Sequence, residues 1–370
     1  MKTTWIVAII AVVAIVIAGG AVVVTNSDND KTNGGSVTVV DFLGREVTIT
    51  STDRIVSVSS TGTAILCGLG VGSNIVGVSS DSSTYEVDPY AIGQTQDDFP
   101  KIINDGLKSG KIKSLGGTYN ISAEAIASVQ ADLVVGDTLN IGASKETQDA
   151  LDALGVNYMV VASSNTRVDG IYEKIELLGK AVGKESAAER IISEMESTIK
   201  KICDWCGQVV ENERNGEKYN VALMMTATIA IGWNYPGGSV MDGLCVNNVF
   251  ESVGTYATVS KESIANANPD VLIYQTLGMG DGVTDPVSFV NSLYSDPIIG
   301  ATKAANSGLI FTTIDGAKTT CGLANQDFVN AYAIYAMFIY KDYLTFDIPD
   351  VFDTENYASY TSQFWEMINS

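Results

Sequence analysis

Whatever chemistry this chain performs is done without histidine, since none occurs among its 370 residues. The commonest general base and transition-metal ligand is therefore missing, and Ser-His or Cys-His nucleophilic catalysis is excluded. Cysteine is sparse and odd in number, at Cys67, Cys203, Cys206, Cys245 and Cys321. Cys203 and Cys206 form a C-x-x-C, but no second pair stands at zinc-like spacing. The motif reads as a local disulfide or as two free thiols near a helix end, not as a zinc or redox centre. Gly278-Met-Gly280-Asp-Gly282 looks like a phosphate cradle, yet it lacks a Walker lysine and the next helix starts only near Pro286, so it reads as a loop. Binding chemistry is better represented. Trp233 and Tyr235 lie in the turn-rich IGWNYPGG, and their flat rings suit the face of a macrocycle or a catecholate.

Such side chains need elements to hold them. Ser36 to Thr50 alternates β-branched residues around Leu43-Gly44, which predicts a hairpin. Apolar runs at 55–60, 74–80, 133–137 and 158–162, with helical stretches between them, then predict a parallel sheet covered on both faces. A second series at 219–226, 271–275 and 309–314 predicts another α/β lobe. Between the two, Ala188, Ile191, Ile192, Met195, Ile199 and Ile202 recur at three- and four-residue intervals from Glu185 to Val210, as on one long amphipathic helix. The fold class is thus α/β, with two lobes built on central parallel sheets and joined by a single long helix: residues 37–184, 185–211 and 212–370. A single helical bridge predicts only slight closure of the lobes on ligand.

Ligands of open α/β sheets sit at the carboxyl ends of strands. That rule selects Ser60, Thr61, Ser80, Asp81, Tyr85, Thr118, Tyr119, Asp137 and Thr138 in the first lobe. In the second it selects Trp233, Asn234, Tyr235, Leu277, Met279 and Asn325. None of these is an arginine, although the chain has five, at Arg45, Arg54, Arg167, Arg190 and Arg214. A neutral or weakly charged ligand is expected accordingly.

The formal charge is −21, which argues against nucleic acid as a partner and fits a soluble acidic surface. Trp5 to Val24 is an unbroken apolar run, about the length a helix needs to cross a bilayer. It reads as an uncleaved transmembrane anchor, with a cleaved signal segment as the alternative, because the run continues past the usual signal core. Residues 1–24 are then the anchor and 25–36 a flexible linker, with all that follows at the cell surface or in the periplasm, tethered to the cytoplasmic membrane.

Several stretches carry a family likeness. Asp53-Arg-Ile-Val-Ser57, Ile65-Leu66, Leu69-Gly70 and Ile75-Val-Gly-Val78 resemble the opening of the periplasmic binding proteins for ferric siderophores, haem and cobalamin. Leu115-Gly-Gly117, the Glu124 to Val135 segment, and Ile171 to Ile175 with Leu178-Gly179 are similar to later elements of that family. Val259 to Ile273 repeats the E-x-I-x-x-x-x-P-D pattern in the second lobe. The ordered series extends from about residue 37 to residue 368. The chain departs from the family pattern at Ser60, Ala64 and Ala131, where proline, glutamate and proline are common.

The resemblance implies a non-enzymatic, monomeric substrate-binding subunit of an ABC importer. It would bind a metal chelate, such as a ferric siderophore or a corrinoid, between its lobes, with no cofactor or resident metal. Its partners would be a permease with its ATPase, docked through Glu124 and Glu262. A solute receptor feeding a sensor, and binding of haem or a small oxyanion, stand as alternatives.

Overall fold

In a computed structural model, the structure describes residues 35–80, 101–117, 119–162, 167–275, 282–314, 325–353 and 356–370. Gly44, at φ +76, supplies the left-handed backbone of a tight turn. Around it pair the antiparallel strands β1 (Val37–Val40) and β2 (Glu46–Ile49), with Val37 opposite Ile49.

The first lobe follows. Its strands are β3 (Ile55–Ser57), β4 (Ile75–Val78), β5 (Lys113–Ser114), β6 (Leu133–Asp137) and β7 (Tyr158–Val161), all parallel, in the order β5-β4-β3-β6-β7. Strands β3, β6 and β7 are buried at every position, which explains their continuous apolar runs. Helices α1 (Ser60–Gly68), α2 (Lys101–Ser109), α3 (Ala123–Ser128), α4 (Lys145–Ala153) and α5 (Val168–Ala181) cover the sheet. The strand order reverses between β3 and β6, so a crevice opens at the carboxyl ends of those two strands.

Helix α6 (Glu185–Glu213) then runs for 29 residues, past the Val210 at which the apolar periodicity ends. At 1.5 Å per residue it is about 44 Å long.

The second lobe contains β8 (Asn220–Met224), β9 (Ile229–Ile231), β10 (Asn247–Asn248), β11 (Tyr256–Thr258), β12 (Val271–Tyr274), β13 (Ile310–Thr313) and β14 (Val351–Phe352). Their order is β11-β9-β8-β12-β13-β14, with β10 beside β8. The core of this sheet is parallel, as expected, and β9 and β11 are added to it by antiparallel pairing. The short strands β5, β10, β11 and β14 carry too few residues to declare a period. The helices of this lobe are α7 (Pro236–Gly243), α8 (Lys261–Ala267), α9 (Pro286–Leu293), α10 (Lys303–Asn306), α11 (Val329–Ile339) and α12 (Tyr357–Asn369).

One apolar core crosses between the lobes. It runs from Ile65 and Leu66 of α1 and Ile171 and Ile175 of α5, through Ile191, Met195 and Ile202 of α6, to α11 and Phe364. Helix α11 is buried at all of its positions, as a helix apolar on every side must be. The Gln326 side-chain amide, just before α11, donates to the Ala64 carbonyl of α1 at 3.0 Å. The lobes are thus fused by packing as well as by α6, a firmer junction than a lone helical bridge. Among the described residues no helix is long and apolar enough to cross a membrane. The expected anchor, 1–24, and the linker up to residue 34 lie outside them.

Candidate functional site

At the crevice between β3 and β6 the backbone turns into α1, and Ser59 caps that helix by accepting from Gly62 N at 3.2 Å. Its neighbours form a relay of hydroxyls. Ser59 Oγ lies 3.3 Å from Thr61 Oγ1, and Lys174 Nζ of α5 donates to Thr61 Oγ1 at 3.2 Å. At the other end, the Ser59 hydroxyl is near enough to the Asp137 carboxylate to lower its pKa, and that carboxylate accepts from Leu139 N at 2.9 Å. Asn140 locks the turn after β6, accepting from Asp137 N at 2.7 Å and donating to Val58 O at 2.9 Å.

Lys174 is 2% exposed and Asp137 6%. Burial, the largest influence on each, raises the Asp137 pKa and lowers that of Lys174 to about 8; their mutual attraction opposes both shifts. The floor of the first lobe is therefore a buried charged network that holds two loops together.

The second lobe contributes aromatic rings. After β9, Gly232 packs so closely that a Cβ there would fall 2.3 Å from Gly254 O, and a Cβ on Gly238 would fall 1.8 Å from Gly232 O. The glycines of GWNYPGG thus permit a tight turn that leaves Trp233 42% exposed and buries Tyr235. Tyr119 of the first lobe and Tyr256 of β11 are 81% and 52% exposed. Burial, above all, raises Tyr235 to about 12, and the nearby phenols of Tyr256 and Tyr119 act in the same direction. Tyr119, Tyr235 and Tyr256 therefore share one neighbourhood across the two lobes.

Arg167, ahead of α5, closes the side of this neighbourhood. Its guanidinium lies 4.1 Å from the Trp233 ring centre and donates to Trp233 O at 3.0 Å and to Asp242 Oδ2 at 3.1 Å. Arg167 is not among the residues expected at the ligand. Its charge is matched by Asp242 and spread over an indole face.

Of the residues expected at the ligand, Tyr119, Trp233, Asn234 and Ser80 are exposed, and Ser60 and Thr138 are partly so. Thr61, Asp137, Tyr235 and Asn325 are buried. Thr61 and Asp137 belong to the relay, and Asn325 Oδ1 accepts from Asp327 N at 3.0 Å. Asp81, Tyr85, Thr118, Leu277 and Met279 lie outside the described residues. Sequence reasoning missed Arg167, Lys174 and Tyr256. Lys174 had a signal: it shares the apolar stripe of Ile171, Ile175 and Leu178 on α5, where an unpaired lysine would be costly.

Glu124 and Glu262 occupy the second position of α3 and α8, after the capping serines Ser122 and Ser260. Both are solvent-exposed. A hydrogen bond from the Ser122 hydroxyl, and for Glu262 from its own backbone N–H and then Ser260, holds each carboxyl below its ordinary range. Eight residues on from each glutamate, an aspartate ties down the first strand of its lobe. Asp132 Oδ2 accepts from Arg54 N at 2.9 Å, and Asp270 Oδ2 accepts from Asn220 N at 2.9 Å.

Comparison with known proteins places these features in a wider group. A family model described as periplasmic binding protein matches residues 55–315. An uncharacterized ABC transporter substrate-binding lipoprotein of Bacillus subtilis, YvrC, is 23% identical over 238 residues, covering 64% of this chain and 68% of its own length. A probable siderophore-binding lipoprotein of the same organism, YfiY, is 22% identical over 280 residues, 73% of this chain and 77% of that one. The crystal structure of a possible iron-binding (periplasmic solute-binding) protein from Staphylococcus epidermidis shares the fold. Its TM-score is 0.61 at 22% identity, covering 78% of this chain and 98% of that one.

Proposed function

The chain belongs to the periplasmic binding protein family, and from that premise we propose that it is the extracytoplasmic receptor of an ABC importer, capturing a metal chelate between its lobes. The observation that carries the reading is the set of exposed rings, Tyr119 from the first lobe and Trp233 and Tyr256 from the second, with the buried Tyr235 close to both other tyrosines. Flat or bulky ligands gain most from such rings. Arg167 is already engaged by Asp242, which supports a neutral or weakly charged chelate, such as a ferric hydroxamate or a corrinoid, over a strongly anionic one. The similarity to a probable siderophore-binding lipoprotein supports the same cargo class. The apolar N-terminal run serves as the membrane tether in this reading.

A thermal-shift screen against ferric hydroxamates, ferric catecholates, corrinoids, haem and oxyanions tests it. A chelate at one hundred times its dissociation constant adds about 2.7 kcal/mol to stability, and Trp233→Ala should abolish the shift. Absence of any shift across these classes would refute the chelate reading.

Glu124 and Glu262, ionised and equivalently placed in the two lobes, are the proposed contacts to arginines of the permease, where complementary charge speeds docking and selects the partner. The Glu124→Ala, Glu262→Ala double variant should bind ligand normally while uptake falls at least tenfold. Uptake at the wild-type rate would sink this assignment.

A further inference from the structure

Three cysteines converge away from the cleft. Cys203 and Cys206 lie on α6, and Cys245 lies in the turn between α7 and β10, all three as free thiols. Gly243 lets the turn approach the helix, and Gly207 faces it from the helix side. A Cβ on Gly243 would stand 2.7 Å from Cys203 Sγ, and a Cβ on Gly207 would stand 3.9 Å from Cys245 Sγ. Gly207 is one helical turn beyond Cys203, on the same face. Cys245 Sγ is also 4.0 Å from the Gly243 carbonyl. The Cys203 sulfur therefore occupies the space that a side chain on Gly243 would need, and the Cys245 sulfur rests against Gly207 at contact distance.

Cys245 has φ +57, a backbone conformation that suits glycine better than any residue with a Cβ. Burial, first of all, raises Cys203 to about 12 and raises Cys206 and Cys245 as well, and the Cys245 sulfur acts on both helix thiols. A bridge within the C-x-x-C itself is disfavoured. On the intact helix Cys206 is buried, out of reach of an external oxidant, whereas Cys203 and Cys245 are both partly exposed.

We propose that Cys203 and Cys245 are a disulfide pair, a covalent bridge between the linking helix and the second lobe, with Cys206 left as a buried thiol behind it. The oxidant is an external disulfide. The Cys245 thiolate attacks one of its sulfurs, the external S–S bond breaks, and the first thiolate leaves with the bonding pair. The Cys203 thiolate then attacks the Cys245 sulfur of the mixed disulfide and releases the second thiolate. Two protons pass to solvent, and the external disulfide gains two electrons. The inference goes beyond the receptor reading and does not depend on which ligand is carried.

The test uses the full chain, purified without reductant, incubated with oxidised glutathione and digested for mass spectrometry without reduction. The expected result is a cross-linked peptide joining the Cys203 segment to the Cys245 segment, and a Tm roughly 5 °C above that of the reduced protein. Cys245→Ser should lose both the cross-link and the dependence of Tm on reductant, whereas Cys206→Ser should keep both. Persistent free thiols, a glutathione adduct on Cys245 alone, or a link that disappears in Cys206→Ser would overturn the assignment. Each of those outcomes would leave the thermal-shift test of the cleft standing.

Discussion

The two lobes repeat a backbone device but not its chemistry. In each, a capping serine precedes the glutamate by two residues, a buried isoleucine follows it by two, and a left-handed residue follows by six, Gln130 in one and Asn268 in the other. In each, an aspartate eight residues on holds the lobe's first strand. The equivalent strands then end differently. Asp137 closes β6 and reaches Lys174 through hydroxyls. Gln275 follows β12, is fully buried and accepts from Tyr335 OH of α11 at 2.9 Å. Among the described residues, the strand end of the first lobe is tied to a lysine and that of the second to a phenol. The pair with a pH-dependent charge balance is the one in the first lobe.

Breaking the two floors should have unequal costs. Lys174→Met leaves Asp137 buried without its cation, with an expected loss of roughly 3 kcal/mol in urea unfolding. Tyr335→Phe removes one neutral hydrogen bond and should cost about 1–2 kcal/mol. Equal losses would erase the distinction between the lobes. The pH dependence sharpens it. The folded-state pKa of Lys174 is about 8, below the unfolded value of about 10.4, so between those values the unfolded chain binds the extra proton. Wild-type stability relative to Lys174→Met should then rise with pH from 8 towards 10, by roughly 1 kcal/mol per unit, and be level below 8, where both states hold the proton. A flat difference from pH 8 to 9.5 would show that Lys174 is not desolvated. The smallest effect concerns the left-handed residues. Asparagine tolerates that conformation better than glutamine, so Gln130→Gly should gain about 0.5 kcal/mol and Asn268→Gly less, measured as the shift in urea midpoint.

How much was legible before any coordinates follows the same divide. The hairpin, the buried strands and α6 announce themselves because each has a period or a continuous apolar run long enough to read. Strands β9, β10, β11 and β14, of two or three residues each, take their conformation from their neighbours in the sheet. The exposed rings at Trp233 and Tyr119 could be placed from strand-end logic. Arg167 could not, because its partners Trp233 and Asp242 lie 66 and 75 residues away and nothing local marks it. Thr61 and Asp137 are expected at the ligand because they stand at strand ends, and the same position makes them hydrogen-bonding hubs of the loops.

The core that passes unbroken from α1 and α5 through α6 to α11 bears on traffic at the importer. Lobes fused in this way would carry Glu124 and Glu262 at nearly the same spacing whether the cleft is filled or empty. Under the docking assignment, empty receptors would then compete with filled ones for the same permease. Uptake would pass through a maximum as receptor copy number rises at fixed solute, and surplus receptor would act as an inhibitor of its own transporter.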